Sequence, residues 1–255
     1  MVDVLWLSAH EFWLQPTAYR LAVGDTLRLD LMVGEGFVGE RWAKRTERSK
    51  SLWLYGDKEA KDLSALVKAN DSLRIETLMP KAGTYLLAFE SNNSFLALEA
   101  DKFNDYLRED GIEDILALRT QNQQLELPSR EWYRRCAKAL VQVGKKTSPV
   151  FQKVVGMDLE IVPLRNPYAN TKEDNMQGKL LYLGQALANK AFFTWHKAPG
   201  KPTRKEKYYT DAQGRFSFPL DQPGEWMVSC VHMVEVPDNP EANYQSYWAT
   251  LTFAF

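Results

Sequence analysis

The last twelve residues of the chain, YQSYWATLTFAF, place Tyr247, Ala249, Leu251, Phe253 and Phe255 at every second position. Successive side chains of a strand leave opposite faces, so this spacing commits the segment to β-structure with one face buried. The same period recurs along the chain. In DTLRLDLMVGEGF, Leu27, Leu29 and Leu31 face one way and Thr26, Arg28 and Asp30 the other. Trp226, Val228, Cys230 and His232 share a face after the Pro-Gly turn of DQPGEW, and Phe216 and Phe218 point inward in RFSFPL. Gly214 closes the DAQG turn before them.

Other segments refine the pattern. The apolar run GTYLLAFES predicts a strand buried on both faces. DSLRIETLMPKAGTYLLAFESN predicts a hairpin about a Pro-Lys-Ala-Gly turn, and GKLLYLGQALANKAFFTWHK two strands about a bend. SREWYRRCAKALVQVG has helix-favouring residues, but Tyr133, Ala137, Ala139, Val141 and Val143 alternate with Arg134, Lys138 and Gln142, which favours a strand. Helical spacing is confined to the region near 101–121, where Phe103, Tyr106 and Leu107 precede a stop at Gly111 and Ile112, Ile115, Leu116 and Arg119 follow it. A polar stretch around 121–131 then reads as a linker. The expectation is a mainly β chain of two β-sandwich domains, immunoglobulin-like or transthyretin-like. Residues 10–125 form a domain with a helical insertion, and residues 126–255 a second sandwich.

With 255 residues, 45% of them hydrophobic, the chain can fill one large core or two smaller ones. A net charge of -1 gives none of the clustered basicity that nucleic-acid binding requires. No apolar stretch is long enough to span a bilayer. Cys136 and Cys230 are far apart and make no metal-finger spacing. Two small buried residues is the simpler reading, and one disulfide stays open in an oxidising compartment. Val4 to Leu7, followed by Ser8 and Ala9, reads either as a truncated secretory segment or as a first strand.

Taken in order, AHEFWLQP, LMVGEGFVGE, FNDYLREDGIEDI, SREWYRRCAKALVQVG, GMDLEIVPLRNPYA, YTDAQGRFSFPLDQPGEWMVSCVHMVEV and SYWATLTF resemble a bacterial periplasmic family of unknown function, once described as a NikM-like nickel-uptake component. The resemblance implies export to the periplasm, with a signal peptide truncated or cleaved near Ala9 and His10 at or near the mature N-terminus. It also implies an accessory role, with a metal-uptake membrane component or an outer-membrane receptor as partner.

The chain has three histidines. The sharper reading makes His10, Glu11, His232 and Met233 ligands of a divalent transition metal: nickel, copper, cobalt or zinc, which imidazole nitrogen suits. Glu235 is a further candidate, and a free α-amino group at His10 would chelate with its own imidazole. The ordinary alternative for a lone strand-end histidine is a hydrogen-bonded or half-exposed side chain. His196, where a strand meets a basic loop, reads as a surface residue. No HxxxH or CxxC spacing is present, and no nucleophile elbow, phosphate loop or HExxH helix suggests an enzyme. Glu131 among Arg130, Arg134 and Arg135, and the pairs Glu109–Asp110 and Glu113–Asp114, read as solvated surface charge. Aromatic residues of the second half, among them Tyr244, Tyr247 and Trp248, support a rival function: a metal-free module binding protein or glycan.

Overall fold

The computed structural model describes residues 11–42, 46–68, 74–169 and 174–255. The segment before Glu11, with His10 and the possible secretory stub, lies outside the described residues. The strands form three layers. One outer sheet holds β1 (Glu11–Pro16) against β3 (Thr26–Glu35), whose other edge is shared by β4 (Val38–Arg41) and β7 (Arg74–Leu78). The other outer sheet is built on β12 (Asn175–Tyr182), flanked by β11 (Leu159–Pro163) on one edge and by β13 (Gln185–Ala186) and β16 (Arg215–Pro219) on the other.

Between them runs a ten-stranded sheet. It begins with β15 (Arg204–Tyr209), β14 (Ala191–Lys197), β17 (Glu225–Glu235) and β18 (Tyr244–Ala254). It continues through β10 (Ser129–Val143), β8 (Gly83–Ser91), β5 (Ser49–Tyr55) and β6 (Ala60–Asp62). The short strands β2 (Arg20–Leu21) and β9 (Ser94–Leu98) also bond to β10. Helix α1 (Ser64–Lys68) joins two layers of the first half, and α2 (Ala100–Glu109) and α3 (Glu113–Gln121) lie against the far end of β17 and β18. Each outer sheet comes from one side of the sequence division near 125, whereas the middle sheet takes strands from both. β10 is the seam, antiparallel to β8 and parallel to β18.

Alternation in β10 explains the layering. Ala137, Ala139, Val141 and Val143 join Phe12, Leu14, Leu27, Leu29, Leu31, Leu87 and Phe89 in the core under the first outer sheet. Cys136 and Leu140, on the opposite face, join Leu159, Ile161, Leu180, Phe216, Phe218, Trp226 and Phe253 under the second. All nine residues of β8 are buried, as expected of a strand covered on both sides. The predicted hairpin of β7 and β8 is corrected: β7 pairs with β3 in an outer sheet, and β8 with β5 and β10 in the middle one. The two strands read about a bend, β12 and β14, form as expected and belong to different sheets. Period two fixes which face a side chain takes and leaves the partner strand open.

Gly111 ends α2 with φ of 68°, and the amide of Ile112 reaches back to the carbonyl of Leu107 at 2.9 Å. The left-handed turn costs a glycine nothing. Cys136 and Cys230 both sit opposite Ala249, on the two neighbours of β18. Two strand spacings, roughly 9–10 Å, exceed the reach of a disulfide. Both thiols are free and buried, and burial pushes each up to about 12.

Candidate acidic site at the start of β1

Three carboxyl groups are buried near the start of β1, the end of α2 and the start of β10, and the charges of Glu11 and Glu131 both act on Asp110. Glu11 lies on the face of β1 opposite Phe12 and Leu14, close to Lys205 of β15, whose Nζ rests 4.4 Å from the ring centres of both Phe193 and Trp195. Burial pushes its carboxyl up to about 7, against the pull of its own backbone amide, Lys205 and Arg135. Asp110 follows the last turn of α2. Burial, then the nearby Glu11 charge, raises it well above the usual carboxylate range. Glu131 projects from β10 toward the helices. Its Oε1 accepts from the hydroxyls of Tyr106, at 3.2 Å, and Ser246. Burial lifts it to about 7 although those hydrogen bonds favour the anion. Trp248 closes the group, donating to Ser246 at 3.0 Å and stacking on Tyr106.

Asp110 Oδ2 and Glu131 Oε2 are buried without a hydrogen-bond partner among the described residues. A buried carboxylate oxygen left unpaired is costly, which favours the protonated form of such groups.

A family model described as a domain of unknown function, DUF4198, matches residues 7–234. The chain belongs to this family. No curated protein matches it. Among solved structures, the D0-D1 domain of intimin is 11% identical, with 95% of this chain and 97% of that one covered at a TM-score of 0.21. Three N-terminal domains of the bacteriophage RB49 outer capsid protein Hoc are 10% identical over 95% of this chain and 59% of that one, at 0.22. Trypsin-activated alpha-2-macroglobulin from Escherichia coli is 9% identical over 96% of this chain and 16% of that one, also at 0.22. Superpositions this poor carry no function across to the DUF4198 chain.

The ligand set expected from the sequence does not converge as a whole. His10 lies outside the described residues. His232 and Met233 are consecutive on β17 and leave opposite faces of the middle sheet. Met233 is buried among Phe103, Tyr106, Leu107 and Ile112 on the helix side. His232 faces the other way, its ring 4.3 Å from that of Tyr182. Burial, helped by Lys190, lowers its imidazole to about 4, and Nδ1 has no hydrogen-bond partner among the described residues. Of the described set, Glu11 is the residue whose charge acts on Asp110, whereas His232 feels Asp114. Among the described residues no three His, Cys, Asp or Glu side chains are close enough to hold a metal ion by themselves. His196 is a further correction: it is buried against Trp226, its Nε2 3.2 Å from the Pro223 carbonyl.

The sequence pattern reads Asp110 and Glu131 as surface charge, and the structure buries both. The signal for Glu131 was available, since it keeps step with Tyr133, Ala137 and Ala139 on the inward face of β10. Asp110 had no such marker, because its burial depends on β1 and β15 arriving from distant sequence. Among the described residues no helix is long and apolar enough to cross a membrane.

Proposed function

We propose that this DUF4198 member is a cell-envelope binding protein, with no catalytic role, that captures a divalent transition metal at the start of β1. One observation carries the reading: buried carboxyl oxygens of Asp110 and Glu131 lack partners among the described residues, and Asp110 also feels the charge of a third buried acid, Glu11. Burial raises all three carboxyls, so metal binding would displace protons from them. They offer too few donors as they stand, and the reading takes His10, next to Glu11 in the sequence and outside the described residues, as the nitrogen ligand. In the periplasm such a site would carry nickel, copper, cobalt or zinc to a metal-uptake membrane component or an outer-membrane receptor.

Calorimetric titration of the chain with each of the four ions tests this. The reading expects saturable binding of at least one ion, weakened tenfold or more by Asp110→Asn and by His10→Ala. Unsaturable heats for all four, or unchanged affinity in both variants, contradict it.

A second reading, the metal-free interaction module, rests on an uncovered stretch of the middle sheet. Beyond the second outer sheet, Phe95 and Trp132 meet edge to face at 5.2 Å, and Phe95 is 45% exposed. Gln245 lies beside Trp132, and the half-buried Tyr247 follows on the same face of β18. Aromatic faces of this kind suit a peptide or a sugar ring.

A further inference from the structure

The turn between β17 and β18 and the segment joining α3 to β10 enclose a cavity of about 310 Å³, at the small end of ligand pockets. Arg119 of α3 forms its inner wall. It is 2% exposed, yet it pairs with no carboxylate among the described residues. Nε donates to Asn104 Oδ1 at 3.1 Å, Nη1 to the Tyr244 hydroxyl at 3.3 Å and Nη2 to the Leu127 carbonyl at 2.7 Å, while the guanidinium covers the Phe103 ring. Those bonds use three of its five N–H groups. Arg130, also in the lining, donates to the Pro240 carbonyl at 3.0 Å and likewise has no acidic partner among the described residues. Asn243 accepts the Arg130 amide through Oδ1, which leaves its NH₂ as a further donor.

The remaining wall has two characters. Leu127, Val236, Pro237 and Ala242 are apolar, and Glu235 is exposed and outside every ion pair of the described residues. We infer that this cavity binds a small aliphatic zwitterion of the amino-acid class, its carboxylate at Arg119 and Arg130 and its ammonium toward Glu235. A buried guanidinium lacking a counter-charge is costly, and a carboxylate answers its fork geometry better than water does. The apolar wall takes the aliphatic body.

The test is calorimetric titration of the full chain with three probes of one shape: L-leucine, isovalerate, which lacks the ammonium, and isoamylamine, which lacks the carboxylate. The inference expects saturable leucine binding in the millimolar range or tighter, weaker isovalerate binding and no isoamylamine binding. Arg130 and Glu235 are exposed, so their variants keep the fold, as a thermal melt will verify. Arg130→Gln lowers both carboxylate affinities about tenfold or more. Glu235→Gln lowers leucine to the level of isovalerate and leaves isovalerate alone. No saturation by leucine at millimolar concentration, binding of isoamylamine as tight as leucine, or unchanged leucine affinity in Arg130→Gln overturns the site. Unchanged leucine affinity in Glu235→Gln overturns the zwitterion.

Discussion

β10 buries charge on both faces of the middle sheet, and the two burials are opposite in kind. Toward the second outer sheet, Lys138 meets Glu160 at 2.5 Å, both side chains 1% exposed. Lys138 also donates to the carbonyls of Lys153 and Ile161, and Glu160 accepts from the amides of Val155 and Gly156. Burial pushes the Lys138 amine down while Glu160 pulls it back up. Toward the helices, Glu131 has hydroxyl partners on one oxygen and none on the other among the described residues, and its charge acts on the buried Asp110. A closed network locates β11 on β10 and serves the fold; on the proposed reading, the open valences are where a ligand would bind.

The largest effect that sharpens this contrast is expected on the closed side. Glu160→Ala leaves an uncompensated ammonium and lowers stability in urea unfolding by about 3–5 kcal/mol. Replacing the pair together with Lys138→Met and Glu160→Leu returns most of that loss.

The open side responds to pH instead. Glu131 has a folded pKa of about 7 against an ordinary 4.5. The native state therefore holds the proton more tightly, so its contribution is complete below pH 4.5 and is lost as pH rises through 7. Glu131→Gln removes that loss, on the order of 3 kcal/mol by pH 8. Urea midpoints measured across pH 4 to 8 read it, and an unchanged slope in the variant breaks the contrast.

His232, on the same face as the closed pair, bends the profile the other way. Its pKa falls from 6.5 to about 4, so its contribution is present above pH 6.5 and is lost as pH falls toward 4. His232→Phe flattens that acid limb by about 2 kcal/mol. The smallest effect is at the cysteines. Both thiols resist alkylation in the native protein, react after unfolding, and leave the melting temperature indifferent to reductant.

Much of this was legible in the sequence. Alternation placed Leu27, Leu29 and Leu31, the inward face of β10 and the shared face of Trp226, Val228 and Cys230, because period two is a local property. Helical spacing found α2, α3 and their break at Gly111. The sheet assignment of β7 and β12 was not legible, since strand pairing is a choice among distant segments. The site was half legible. Glu11 drew notice beside His10, but Asp110 and Arg119 gain their meaning only when chain ends and helices meet. His232 and Met233, adjacent in sequence, were parted by the same alternation that revealed the strand.

The claim that the open carboxyls await a cation is tested most directly by counting protons. Adding nickel, copper, cobalt or zinc to the unbuffered chain near pH 7 should release protons in step with saturation. The count should fall in Glu131→Gln and in Asp110→Asn. Saturable metal binding without proton release, or release unchanged in both variants, would place the metal elsewhere and leave these acids as structural burials.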